Sequence, residues 1–181
     1  MKIFLSESGI GWIPYFLERS DYAHWRHKAW TNSGFGGARP SEVFRKHFMT
    51  CFIDDAFGLK NLEDVGEDMV AYECDYPHSD TLWPEEPEYL WQSVKNLSDT
   101  QIDKITHLNA MRWLRFDPFS RYQRDEINVA GLRAKAVAAG VDTSPISTGG
   151  SAPLAEGDAK RRVTSGDVMQ MMQRQAELLE A

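Results

Sequence analysis

The stretch that most constrains this chain is Val70-Ala71-Tyr72-Glu73-Cys74, closed by Asp75 and followed by Tyr76-Pro77-His78-Ser79-Asp80. A short apolar run rich in strand formers reads as a buried strand, and the proline behind it marks where pairing stops. A buried strand that ends abruptly in a carboxylate delivers that group to the mouth of a site. The rest of the chain can be read around this unit, with two similar units upstream and support followed by a tail downstream.

The first upstream unit is the strand Lys2-Ile3-Phe4-Leu5-Ser6, placed bluntly at the start of the chain with no capping segment before it. Ser8-Gly9-Ile10-Gly11 makes a glycine-rich turn, and Pro14 suits the first turn of a helix. Ile13, Phe16, Leu17 and Ser20 keep helical spacing, which predicts a helix from about Ile13 to the high twenties. Residues 31–40 read as a loop from their glycines, and Ser41 to Arg45 as one helical turn at most. His47 to Ile53 is the second strand, ending in Asp54-Asp55. A short helix or turn from Ala56 to Val65 then leads through Gly66 into the third strand, Met69 to Cys74.

Strands that alternate with helical segments predict an α/β fold with a parallel sheet, whose functional groups gather at the carboxyl ends of the strands. That edge would present Glu7, then Asp54 and Asp55, then Asp75. Three acidic strand ends in succession point to a cation or a cationic substrate, with simple helix capping as the alternative.

Downstream, Pro84 and Pro87 open a helix carrying Tyr89, Leu90, Trp91 and Val94. Ser98-Asp99-Thr100-Gln101 fits a capping box, with Leu97 and Ile102 placed as a hydrophobic staple. The helix behind it carries Ile105, Leu108 or Asn109, and Trp113 at core spacing. After Phe119 the character changes, dividing the chain into a domain over 1–119 and a tail over 120–181. Asp125 to Ala139 suits a short helix, Gly140 to Gly157 a flexible linker, and Ser165 to Leu179 a terminal amphipathic helix.

Composition narrows the function classes. A net charge of −7 over 181 residues argues against a nucleic-acid binder, which would show a basic stripe. Cys51 and Cys74 sit in strand-like runs and read as reduced, buried thiols. Apolar runs fall far short of a membrane span, and Ser6-Glu7 arrives too early for a signal-peptide core. The expectation is a soluble cytoplasmic protein without a membrane partner. His24 and His27, three apart on the first helix, read as a solvated face, and His47 and His107 are read in the same way.

Taken together, the residues resemble a known family. Asp75-Tyr76-Pro77-His78 resembles the end of the last barrel strand in the amidohydrolase-related metal-dependent hydrolases, the branch that includes aminocarboxymuconate-semialdehyde decarboxylase. Ser6-Glu7-Ser8-Gly9-Ile10-Gly11-Trp12-Ile13-Pro14-Tyr15 looks like the sixth strand and its turn, and Asn109-Ala110-Met111-Arg112 like part of the closing helix. The resemblance covers roughly residues 2 to 119. It implies the C-terminal portion of a (β/α)8 TIM barrel, with strands matching the sixth to eighth, followed by a partly disordered helical tail.

The resemblance also implies chemistry. The family holds a divalent metal, usually zinc, and the role of the matching aspartate as metal ligand or base carries over to Asp75. Glu7 stands where many members have a histidine, and is expected to act as an acid/base or a hydrogen-bond acceptor. His78 and Trp12 become candidate substrate contacts. The reaction implied is hydrolysis of a C–N or C–O bond, or non-oxidative decarboxylation of a small carboxylated substrate. The family's first strand carries a His-X-His pair, which this chain lacks. The chain therefore reads as part of a longer barrel, with a complementing N-terminal half-barrel or a homo-oligomer as expected partner. A non-catalytic fragment or interaction module is the alternative.

Overall fold

Three short parallel strands form the centre of the structure, a computed structural model that describes residues 1–78, 80–83, 85–141, 168–170 and 172. They are β1 (Ile3–Leu5), β2 (Phe48–Phe52) and β3 (Val70–Tyr72), in the order β1-β2-β3. Ile3 pairs with Phe48 and Leu5 with Thr50, and Thr50 in turn pairs with Val70. All three strands lie inside the runs expected of them, trimmed at both ends. The expected parallel α/β sheet is present.

Helices fill the connections: α1 (Ile13–Thr31), α2 (Pro40–His47), α3 (Ala56–Lys60), α4 (Leu62–Val65), α5 (Glu86–Val94), α6 (Asp99–Asp103), α7 (Asn109–Leu114), α8 (Arg124–Ile127) and α9 (Val129–Ala138). Two compact units result, residues 1–73 with 92–116, and residues 74–91 with 117–181. No helix among the described residues is long and apolar enough to cross a membrane.

In the first unit the two faces of the sheet are set by the strands' period of two. Phe48, Thr50, Phe52 and Val70 share one face. Phe44 of α2 stacks on Phe48 at 4.4 Å, and Trp12 and Phe16 meet Phe44 edge-on or tilted at 6.1 and 5.7 Å. Ile10, Ile13, Met49, Phe52, Val65 and Val70 are almost wholly buried. On the opposite face Met49, Cys51 and Ala71 form a small cluster covered by Ala110 and Trp113 of α7.

Helix α2 is longer than the single turn expected from Ser41 to Arg45. Pro40 at its first position is pre-set for a helix, and the Glu42 carboxylate accepts the Arg39 N–H at 2.8 Å. Ser41 is tied to Asp21 of α1 through both its N–H and its hydroxyl, at 2.9 and 2.6 Å. Burial of Phe44 supplies the rest. These anchors are tertiary, which is why local periodicity understated the helix. His24 also departs from expectation: it is half-buried against Phe35, ring centroids 5.3 Å apart, rather than on a solvated face.

The capping box at Ser98 is present, with its hydroxyl accepting the Gln101 N–H at 3.3 Å. Behind it, residues Lys104–Leu108 form a π turn between α6 and α7. A wider turn inserts one residue into the helical phase. That turn resolves the open choice at Leu108 or Asn109: Asn109 is buried, whereas Leu108 is 40% exposed. The Asn109 amide donates to the carbonyls of Glu67 and Val70 at 2.7 and 2.9 Å, so it fastens the helix to the entry of β3.

In the second unit, Arg133 of α9 forms an ion pair with Glu88 of α5 at 2.5 and 2.8 Å. Helical segments Arg124–Ile127 and Val129–Ala138 fall within the helix expected from Asp125 to Ala139. The linker expected over Gly140 to Gly157 lies outside the described residues beyond Val141. The terminal helix expected over Ser165 to Leu179 does so as well, apart from helical residues 168–170 and 172.

Replacing Asn109 with Ala leaves one buried and one part-buried carbonyl without this donor, and each such loss costs on the order of 1–3 kcal/mol. Asn109→Ala should lower unfolding stability by about 2–4 kcal/mol in a denaturant titration, whereas Leu108→Ala should cost less than about 1 kcal/mol. Equal losses would contradict the role assigned to the π turn.

Candidate functional site

Because the strands are parallel, their carboxyl ends lie along one edge of the sheet. At the end of β1 the chain turns sharply, with Glu7 in the left-handed conformation at φ 53° and Gly9 at φ 61°. Such a conformation is unusual for a non-glycine residue and costs on the order of 1 kcal/mol. Glu73, just past β3, holds it in place. One carboxylate oxygen accepts the Ser6 hydroxyl and the other accepts the Glu7 N–H at 2.8 Å. Glu7 is thereby fixed at its backbone, with an exposed side chain.

Asp55 follows β2 and works as a structural clamp. Its Oδ2 accepts the N–H groups of Ile10 and Gly11 at 2.7 and 2.8 Å, while Oδ1 accepts the Gly58 N–H at 2.7 Å as the cap of α3. The space is too tight for larger residues: a Cβ on Gly58 would lie 2.3 Å from Ile10 Cγ1 and 2.9 Å from the Gly11 nitrogen. Of the acidic strand ends, Asp55 therefore serves as a cap rather than a cation ligand. Asp54 beside it is exposed.

Trp12 begins α1. Its indole N–H points back to the Ser8 and Gly9 carbonyls at 3.0 and 3.1 Å, and its ring meets Phe16 at 5.2 Å. The glycine-rich turn is thus closed over by an aromatic residue that remains 37% exposed.

In the second unit, Asp75 is also left-handed, at φ 54°, and the Tyr76–Pro77 bond that follows is cis. This turn folds His78 back onto Asp75. The His78 N–H donates to the Asp75 carbonyl at 2.8 Å, and its Nδ1 lies 2.7 Å from Asp75 Oδ1. The Asp75 side chain is 5% exposed and that of His78 63%. A carboxylate on Nδ1 favours the tautomer that carries its proton on that nitrogen. Asp75 Oδ2 makes no hydrogen bond among the described residues.

The same loop contains a polar group that sequence reasoning missed. Glu86 is only 5% exposed at the start of α5, and its Oε1 accepts the Thr81 hydroxyl at 2.8 Å, with Cys74 Sγ at 3.7 Å. Thr81 in turn accepts the Trp83 N–H at 3.2 Å, and Trp83 packs on Tyr76 with ring centroids 5.2 Å apart. These contacts brace the segment that carries Asp75 and His78. Glu73 was missed for a plainer reason, since it reads as an ordinary interior position of the third strand.

Cys51 is buried as expected, whereas Cys74 is only half-buried, because it lies in the irregular segment past β3. Burial first, then the charge and hydrogen bond of Glu73, pushes the Cys51 thiol up to about 12. Burial also raises Cys74, and the nearby Glu86 charge adds to it. For Cys51 at pH 8 the thiolate fraction is on the order of one in ten thousand. A disulfide-exchange reagent at pH 8 should leave Cys51 of the native protein unmodified and react with both thiols after unfolding. Rapid labelling of native Cys51 would contradict this packing.

Comparison with known proteins agrees with the fold. The sequence profile of the amidohydrolase family matches residues 1–116. The crystal structure of 5-carboxyvanillate decarboxylase LigW from Sphingomonas paucimobilis superposes with a TM-score of 0.53 at 23% identity, covering 64% of this chain and 34% of that one. At that identity the likeness is one of fold, and the chain spans about a third of the length of that decarboxylase. A search of curated protein sequences finds no match.

Proposed function

The chain belongs to the amidohydrolase family, and from that premise we propose that it supplies the closing strands of a metal-dependent hydrolase or non-oxidative decarboxylase site for a small carboxylated substrate. In this reading residues 1–119 are the partial barrel domain, with β1, β2 and β3 as its sixth, seventh and eighth strands, and 120–181 its tail. The kinship extends to the branch that includes aminocarboxymuconate-semialdehyde decarboxylase. The observation that carries the reading is the Asp75–His78 pair, an imidazole set against a buried carboxylate that lies three residues beyond β3.

The donors fit a divalent metal. Carboxylate oxygen and imidazole nitrogen are zinc ligands, and Asp75 Oδ2 is uncommitted. Asp75 would hold the ion, which when bound supplies Lewis acidity toward a substrate oxygen or water. Asp75 also accepts the proton that water loses, and His78 steadies the carboxylate and contacts substrate. Glu7, fixed by Glu73, serves as an acid/base in place of an imidazole, which makes the pocket more negative. Trp12 offers an apolar wall to the substrate.

Zinc sites take three or four protein ligands, and no His-X-His pair occurs in this sequence. The remaining ligands come from polypeptide that completes the barrel, either a complementing N-terminal half-barrel or another copy. The outer edges of β1 and β3, which no other strand joins among the described residues, are the surfaces such a partner extends. The absence of His-X-His equally motivates a second reading, an interaction module that keeps the fold segment without the chemistry.

Zinc titration followed by mass spectrometry of the bound metal separates the two. Assembled with the polypeptide that completes the barrel, the proposed site predicts about one equivalent per chain and at least about tenfold weaker uptake in Asp75→Ala. Failure of that assembly to take up any divalent metal would establish the interaction module instead.

A further inference from the structure

At the amino ends of the strands, opposite the acidic edge, the first unit carries a cleft of about 600 Å3. Lys2, just before β1, Arg45 and Lys46, at the end of α2, and Arg112 and Arg115, at the end of α7, contribute to its lining. Five cations around one cleft stand out in a chain whose net charge is −7. The acid among the lining residues, Asp68, is already paired with Lys104 at 2.9 Å, and Lys104 also binds Glu67 at 2.5 Å. The local balance is therefore strongly positive.

Two of the cations are positioned before any ligand arrives. Arg45 donates from Nη1 to the Val65 carbonyl at 2.6 Å and from Nη2 to that of Asp64 at 2.8 Å. Arg112 donates from Nη2 to the Asp68 carbonyl at 2.5 Å and to Asn109 Oδ1 at 3.1 Å, which leaves Nε and Nη1 as donors. Carbonyl contacts fix a guanidinium without neutralising it, so little side-chain entropy remains to be lost on binding. Lys46 and Arg115 are exposed and make no side-chain bond among the described residues.

The cleft also has two apolar lining residues, Trp113 and Met69. Trp113 lies in the cleft with Lys2 Nζ 4.0 Å above its ring, beside Met69. A bare oxyanion needs neither that surface nor that volume, whereas sites for small organic molecules are typically about 300–1,000 Å3. The geometry points to a binding site for a phosphate monoester with an apolar or aromatic body: the phosphate lies among Lys46, Arg112 and Arg115, and the body lies beside Trp113 and Met69. The proposed function does not depend on this site, since the two share no residue.

The test is calorimetric titration of the full chain with phenyl phosphate and with inorganic phosphate, at about 0.15 M salt to suppress non-specific attraction. The site predicts saturable one-to-one binding of phenyl phosphate, tighter than inorganic phosphate. Lys46→Ala with Arg115→Ala should weaken it at least about fivefold, while Arg26→Ala with Lys28→Ala on α1 should leave it unchanged. Should the first double variant fail to fold, Lys46→Gln and Trp113→Phe replace it, the second reducing the preference for the aryl ester. No saturable binding, equal losses in both double variants, or equal affinity for the two phosphates would overturn the assignment.

Discussion

The carboxylate of Asp55 joins parts of the first unit that would otherwise be independent. It takes two N–H groups from the turn after β1 and one from the first turn of α3. Hydrogen bonds to an ionised acceptor are roughly twice as strong as neutral ones, and these three lie between 2.7 and 2.8 Å. Gly11 and Gly58 permit the close approach that the bonds require, since a Cβ on either would meet Phe57 or Ile10 at under 3.0 Å. The path of β1 into α1, and with it the placement of Trp12 and Glu7, depends on this junction.

Acidic residues along the sheet edge thus divide by what their oxygens already hold. Asp55 is fully used by backbone donors, and Glu73 by Ser6 and Glu7. Asp75 gives one oxygen to His78 and keeps the other uncommitted. Residue type alone does not separate these roles; the number of donors directed at each carboxylate does. The opposite ends of the strands carry the contrasting charge, where guanidinium groups are held open by backbone carbonyls. A parallel sheet makes such a division natural, because its two edges are built from different sets of loops.

Much of the scaffold was legible in the sequence. The strand runs, the long α1 behind Pro14 and the capping box at Ser98 are local signals, and each appears where expected. The acidic strand ends were legible as a set but not in their individual roles, because the three backbone amides converging on Asp55 come from residues 45 and 44 positions away and 3 positions on. Helix α2 was understated because Asp21, Phe48 and Trp12 stabilise it from outside. Buried Glu86 carried no local signal, as its partner Thr81 lies in an irregular loop. The π turn, which decides between Leu108 and Asn109, leaves the apolar spacing ambiguous by one residue.

The central claim is that Asp55 closes the junction between the turn after β1 and α3. Amide hydrogen exchange at Ile10, Gly11 and Gly58 tests it most directly. All three amides should be protected in the native protein, and all three should lose protection together in Asp55→Asn while the β2 amides keep theirs. Unprotected exchange at these amides in the unmodified chain, or unchanged protection in the variant, would contradict the account.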